Sequence, residues 1–217
     1  MHRPGVGWEY QYFLGTGFLI GGRDYALTAA HVVSGRHGGQ IIAAFPHQSG
    51  GWWAAAIHEY SLHEKEDVAL LRLAGGPWRS FFRLSNTFET ASRNYQMFGY
   101  PEDVANELVE GGSVAHRPDL IYAQGYIRRR ISREIPTMTG TEFFEVSEVV
   151  GQGCSGSPLY VNRGGVLDVV GIYVGELLTD RGTSRAFAVR EEAFRNWRPP
   201  IIDRTVLEES LDVTTDV

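Results

Sequence analysis

The sequence contains only one cysteine among its 217 residues, so no disulfide bond can form within the chain. Its first eight residues, MHRPGVGW, also lack the apolar core that a secretory signal requires. Because disulfides and secretory signals are features of exported proteins, their absence predicts a cytoplasmic location. The alternative is a chain from which a signal peptide has been trimmed.

Basic charge, long apolar runs and closely spaced histidines are missing as well. The formal net charge is −6, which provides no electropositive surface for the phosphates of a nucleic acid. No apolar run approaches the roughly 20 residues that a membrane-spanning helix needs. None of the seven histidines forms a His-x-x-x-His pair, a spacing that can bind a metal from one helix face. We therefore expect no nucleic-acid partner, no membrane span, no metal and no cofactor.

Glycine, by contrast, is abundant, and its 26 residues separate short runs of aromatic and β-branched side chains. This pattern is typical of all-β barrels and sandwiches. The chain is long enough for two packed barrels of roughly 80 to 100 residues each. Predicted strands lie at 9–13, 16–20, 41–45, 52–58 and 68–73 in the first half, and at 95–98, 120–127, 142–149, 157–161, 167–174 and 185–189 in the second.

We divide the chain into one domain at 1–200 and an acidic tail at 201–217. Within the domain, a first barrel spans about 8–78, a crossing segment about 79–93, and a second barrel with a terminal helix about 94–200. The helix is predicted at 190–197, where Phe194 and Trp197 are three residues apart and prolines follow. We expect the tail to fray or to lead to a further domain.

Residues 153–158 read Gly-Cys-Ser-Gly-Ser-Pro and present a serine, Ser155, between glycines. A serine hydroxyl is a poor nucleophile unless a neighbouring base, itself oriented by a third group, removes its proton. Candidates for both groups lie upstream. His31 lies in the segment Leu-Thr-Ala-Ala-His-Val-Val, and Asp67 opens the apolar run Val-Ala-Leu-Leu. The chain order is therefore His, Asp, Ser.

These three segments resemble those of the trypsin-like, chymotrypsin-fold serine peptidases, and the likeness runs from about Gly15 to about Trp197. The resemblance implies two six-stranded antiparallel β-barrels with a C-terminal helix, and a polypeptide substrate. It also implies that His31 is the general base, that Asp67 orients it and that Ser155 attacks. The backbone N–H groups of Gly153 and Ser155 would form the oxyanion hole.

Cys154 departs from trypsin, which has at this place an aspartate that pairs with a newly cleaved N-terminus. Activation by such cleavage is therefore not expected. The resemblance is closer to bacterial members, such as the glutamyl endopeptidases and high-temperature-requirement proteases. Cys154 also raises the alternative of a cysteine nucleophile, although Ser155 occupies the nucleophile's register in the motif.

The resemblance also places a primary specificity pocket just upstream of the nucleophile and on a later strand. Its residues are apolar or uncharged, which favours an apolar substrate side chain before the scissile bond. Glu176 leaves a basic residue as the alternative, if its carboxylate reaches the pocket mouth. The predicted pocket consists of Val149, Val150, Gln152, Tyr173, Val174 and Gly175.

A serine endopeptidase is the function that the sequence favours. The competing hypothesis is a silent or latent module with the same fold, which holds peptides by strand addition or awaits a partner. A sensor or regulatory domain is the kind of partner that the resemblance suggests for such a latent protease.

Overall fold

Aromatic and β-branched runs of the chain form β-strands in the computed structural model, which describes residues 13–35, 41–46, 52–76, 78–103, 105–110 and 113–212. The first half of the chain contributes a curled sheet in which all neighbouring strands are antiparallel. Its strands are β1 (Gly17–Ile20), β2 (Tyr25–Thr28), β3 (Ile42–Pro46), β4 (Trp52–Leu62) and β5 (Ala69–Leu73). Their spatial order is β1-β2-β5-β4-β3. A short helix, α1 (Ala30–Ser34), follows β2 directly.

The second half forms a closed barrel. Its described strands are β6 (Phe82–Leu84), β7 (Asn94–Gly99), β8 (Ala105–Glu110), β9 (Ser113–Pro118), β10 (Ile121–Ser132), β11 (Glu142–Val146), β12 (Pro158–Arg163), β13 (Val166–Leu178) and β14 (Ser184–Arg190). Six of them follow one another as β12-β7-β10-β11-β14-β13, and pairing of β13 with β12 closes the ring. Strand β6 joins β13 in parallel outside this ring, while β8 and β9 form a separate hairpin.

The predicted all-β, chymotrypsin-like architecture is confirmed, with one difference in the first barrel. Among the described residues that barrel has five strands and remains open between β1 and β3. The predicted strand at 9–13 lies almost wholly outside the described residues. Strand β2 was not predicted, because its four residues run into the His31 segment and give too short a pattern to recognise.

The C-terminal region differs from the prediction. The run at 190–197 forms only a single 3₁₀ turn, Glu191–Ala193, and the α-helix lies later, at α2 (Val206–Ser210). Thr205 caps α2 through a capping box with Glu208. The expectation that the tail frays is wrong for 201–212, whereas 213–217 lie outside the described residues.

Burial explains why this segment is ordered. Val206 and the carboxylate of Glu209 are fully buried, and Arg23 of the first barrel pairs with that carboxylate. The hydroxyl of Tyr25 in β2 donates to the carbonyl of Ile201 at 2.9 Å. Because a buried carboxylate requires a paired charge, the Arg23 contact fixes the segment on the first barrel.

Glu191, at the start of the 3₁₀ turn, is a buried acid with few polar contacts. Both of its carboxylate oxygens are buried without a hydrogen-bond partner among the described residues. Its charge partner is Arg195, whose Nη1 lies 3.6 Å from Oε1. Burial raises the pKa of Glu191 to about 8, from an ordinary value of 4.5.

Replacement of Glu191 by Gln should change how stability depends on pH. The folded protein holds the Glu191 proton up to about pH 8, whereas the unfolded chain releases it near pH 4.5, so wild-type folding weakens as pH rises through this window. A difference of one unit between the pKa values of the folded and unfolded states corresponds to about 1.4 kcal/mol of folding free energy. In denaturant unfolding, the free energy of unfolding of E191Q relative to wild type should rise by at least about 1 kcal/mol between pH 5 and pH 8. The control E134Q changes an exposed residue, so its difference from wild type in free energy of unfolding should not vary with pH. A difference between E191Q and wild type that stays constant with pH would contradict this prediction.

Candidate active site

The His31 and Asp67 side chains form a hydrogen-bonded pair in the first barrel. His31 lies in α1, and its ring Nδ1 is 2.6 Å from Asp67 Oδ2, while its backbone N–H donates to Oδ1 at 2.9 Å. The Asp67 carboxylate is buried, whereas 48% of the His31 side chain is exposed. With Nδ1–H bound to the carboxylate, the neutral ring presents Nε2 as a proton acceptor.

Ser155 belongs to the second barrel, but its loop packs directly on the segment that carries His31. The carbonyl of Ser155 accepts a hydrogen bond from Thr16 N–H at 2.8 Å. A side-chain carbon on Gly156 would collide with Thr16 O and Thr28 Oγ1, and would lie 3.1 Å from Ala29 N. The loop can therefore approach β2 and the start of α1 only because residue 156 is glycine, whose φ is +93°.

The peptide between Gln152 and Gly153 is oriented by a contact with the preceding loop. The Gln152 carbonyl accepts from Glu102 N–H at 2.8 Å. In a planar trans peptide the next N–H points the opposite way, so the Gly153 N–H faces away from Glu102. Neither this N–H nor that of Ser155 bonds to another described residue. Both predicted oxyanion donors are thus without a partner among the described residues, while their role in an oxyanion hole stays a prediction.

No hydrogen bond joins Ser155 Oγ to His31 within the part of the chain that the structure describes. Such contacts are often long in proteins without substrate and tighten only when a substrate is bound. The structure thus brings Asp67 into contact with His31 and places the Ser155 loop against the His31 segment, while their action as a triad stays a prediction.

Cys154 points away from this surface. Its side chain is fully buried, and its Sγ lies 3.5 Å from the Val150 carbonyl. Burial raises the pKa of the thiol to about 12, and the negative charges of Asp103 and Glu176 add to the effect. Ser155 is only half-buried. Of the two candidate nucleophiles in the loop, the serine is therefore the accessible one.

The two segments of the predicted specificity pocket do lie together. Val150 N–H is 3.5 Å from the hydroxyl of Tyr173, and Gly151 N–H donates to Glu176 Oε1 at 2.8 Å. Tyr173 is completely buried and its hydroxyl donates to the same Glu176 oxygen, so its ring faces the interior of the second barrel. Of the other predicted pocket residues, Val149 and Gln152 are exposed, Gly175 is half-buried and Val174 is buried. Contact of these residues with a substrate stays a prediction.

Two polar residues that sequence reasoning missed position the site. Thr16 is buried and its hydroxyl donates to Gly153 O at 2.8 Å. Glu66, also buried, accepts hydrogen bonds from the backbone N–H and the hydroxyl of Thr141, so it anchors the turn before β11 beside Asp67. Little in the sequence indicated either role, since Thr16 and Glu66 are single polar residues close to an apolar run.

Residues 15–172 match the protein family described as "Trypsin-like peptidase domain". A search of curated proteins finds no match. Among solved structures, the MamO protease domain from Magnetospirillum magneticum superposes with a TM-score of 0.56 at 17% identity, over 83% of this chain and 85% of that one. The Rv3671c protease of M. tuberculosis H37Rv, in an inactive form, gives 0.56 at 22% identity, over 82% and 79%.

The HtrA-type protease AlgW, solved with a decapeptide, superposes with a TM-score of 0.56 at 21% identity, over 83% of this chain. The chain spans about half of that structure, 49%. At these identities the likeness establishes the fold alone. Among the described residues, no helix is long and apolar enough to cross a membrane, and no cluster of acids, histidines and cysteine has the arrangement of a metal site.

The burial of Cys154 predicts an unreactive thiol. With a pKa of about 12, only about one thiol in 10⁴ is ionised at pH 8, against about one in ten at the ordinary value of 9.0. Iodoacetamide should therefore alkylate Cys154 at least about 100-fold more slowly in the folded protein than in urea. Mass spectrometry of the alkylated peptide measures both rates. Rapid alkylation of the folded protein would contradict this assignment.

Proposed function

The chain belongs to the trypsin-like peptidase domain family, and from this premise we propose that it is a serine endopeptidase that hydrolyses peptide bonds in polypeptides. The observation that carries the proposal is the His31–Asp67 pair, which is joined by two hydrogen bonds and belongs to the segment on which the loop of Ser155 packs. An exposed imidazole backed by a buried carboxylate is the arrangement of a general base.

In the proposed reaction, Ser155 Oγ attacks the carbonyl carbon of the substrate peptide while His31 Nε2 takes its proton. The developing oxyanion is stabilised by the N–H groups of Gly153 and Ser155, each of which is worth about 2.7–4 kcal/mol in comparable sites. The protonated imidazole then gives its proton to the departing amine, and Asp67 stabilises the imidazolium. Water then attacks the acyl-enzyme while His31 Nε2 takes its proton, and the imidazolium returns that proton to Ser155 Oγ as the acid product leaves.

Substitutions in the proposed triad test this reaction. Ser155→Ala should lower kcat/KM for peptide cleavage by about 10⁴-fold or more, and Asp67→Asn by about 10⁴-fold, since Asn cannot hold the productive imidazole tautomer. Ser184→Ala, a control on β14, should keep wild-type kinetics. A fluorophosphonate probe should label wild type and not Ser155→Ala. Cleavage that survives in Ser155→Ala would contradict the proposal.

A second candidate is a latent or silent module that binds peptides and awaits a partner. A latent module would lack a Ser155–His31 hydrogen bond, and none is present among the described residues, although a protease without substrate can lack it as well. A sensor or regulatory domain or protein is the proposed partner. Failure of the folded wild type to react with the fluorophosphonate would support this candidate. We retain a cytoplasmic location as part of the proposal, on the basis of the single cysteine.

We further propose that an apolar residue precedes the scissile bond. Val149 is exposed beside the loop of Ser155. The Glu176 carboxylate is instead held in place by two internal donors at Oε1, Gly151 N–H and the Tyr173 hydroxyl, so it is not free to turn toward a basic substrate side chain. Profiling with a peptide library should show apolar residues preferred over Arg and Lys by about tenfold or more. Dominant cleavage after Arg or Lys would overturn this specificity.

A further inference from the structure

The nucleophile loop, defined here as residues 150–157, begins and ends on a single residue of β13. At its end, Gly156 N–H donates to the Tyr173 carbonyl at 2.7 Å, and Tyr173 N–H donates to the Ser157 carbonyl at 2.9 Å. These backbone contacts fix the chain immediately after Ser155. They do not reach the beginning of the loop.

The side chain of Tyr173 reaches the beginning. Its hydroxyl lies 3.5 Å from Val150 N–H and donates to Glu176 Oε1 at 2.8 Å. The same Glu176 oxygen accepts Gly151 N–H at 2.8 Å. Burial raises the pKa of the Tyr173 phenol well above its usual range, so the phenol keeps its proton and remains a donor. Tyr173 and Glu176 thus bind both ends of the nucleophile loop.

The loop needs such support because its glycines do not fix the backbone, and the contacts from Thr16 and Glu102 bind only the carbonyls of residues 152, 153 and 155. Gly151, Gly153 and Gly156 adopt φ values of +86°, +91° and +93°, a region that glycine enters readily but can also leave. The chain has one cysteine and cannot fix the loop with an internal disulfide. Without further contacts, the Gly153 and Ser155 N–H groups would sample many directions.

We propose that Tyr173 and Glu176 form a clamp, acting as positioning residues that hold the nucleophile loop so that the Gly153 and Ser155 N–H groups converge on one point. The catalytic consequence rests on the proposed peptidase function, whereas the effect on loop structure does not. A clamp that positions oxyanion donors should act on the transition state, because the charge on the substrate oxygen develops there.

Cys154 provides a readout of the loop that is independent of activity. It is the only cysteine, lies inside the loop and is fully buried. Tyr173→Phe removes the hydroxyl with little loss of volume, and Glu176→Ala removes the carboxylate. In both variants the thiol reagent DTNB should react with native Cys154 at least about tenfold faster than in wild type. Leu178→Ala, which changes an exposed residue of the same strand, is the matched control and should react at the wild-type rate.

Steady-state kinetics on a peptide substrate measure the catalytic consequence. We expect kcat to fall about 10- to 100-fold in Tyr173→Phe and Glu176→Ala, with KM within about threefold of wild type. Glu176→Gln should recover most of the loss, because its amide oxygen can accept both hydrogen bonds while a purely ionic role would not be rescued. Thermal unfolding of each variant checks that the protein is folded under the conditions in which the rate of the DTNB reaction with Cys154 is measured.

The outcomes separate the clamp from the proposed function. DTNB rates at the wild-type level in both variants would overturn the clamp, whether or not the protein is a peptidase. A loss confined to KM would overturn the positioning of the oxyanion donors. The wild type could also neither cleave peptides nor react with a fluorophosphonate, while Cys154 still reacts faster with DTNB in the variants. That result would support the clamp and overturn the peptidase function.

Discussion

Thr16 holds the two barrels together at the point where the candidate site is assembled. Its N–H and hydroxyl donate to the Ser155 and Gly153 carbonyls at 2.8 Å each, and its hydroxyl accepts Tyr100 N–H at 3.0 Å. Its carbonyl accepts the Thr28 hydroxyl at 2.6 Å. His31 and Asp67 belong to one barrel and Ser155 to the other, so any mechanism that joins them depends on this junction. Its burial excludes water that would compete for the same donors and acceptors.

Buried carboxylates attach the connecting segments to the barrels in a chain that has no internal disulfide. Glu89, in the segment between the barrels, is fully buried and pairs with Arg93 and with Arg163 of β12. Asp168 of β13 pairs with Arg83 of β6 in the same way. Removal of one partner leaves an unpaired buried charge, so each pair specifies where its segment docks, even where its net contribution to stability is small.

The segments of Ser155, His31 and Asp67 could be singled out because each has a distinctive local pattern, while their roles as nucleophile, base and acid stay predictions. His31 and Asp67 are in contact as that pattern implies. The second barrel was also predictable, since most of its strands are runs of aromatic and aliphatic residues bounded by turn residues. Strand β6 was not, because three residues carry no period and its pairing with β13 is set by tertiary contacts.

The role of the residues around the nucleophile loop required the fold. A tyrosine in an apolar strand can face a pocket or the core, and only the closed barrel shows that Tyr173 faces inward and meets Glu176. Burial of the Glu209 carboxylate likewise depends on Arg23 of the first barrel, which is 186 positions away in sequence. Charged segments such as this one give a local pattern that resembles a solvated tail.

The proposed reaction depends most directly on a covalent acyl intermediate at Ser155. A reactive ester substrate, mixed with the folded protein and quenched in acid within the first turnover, traps that intermediate for peptide mapping by mass spectrometry. We expect a burst of one product equivalent per protein molecule and an acyl group on Ser155. An acyl group on Cys154, or no adduct despite continued ester hydrolysis, would contradict it.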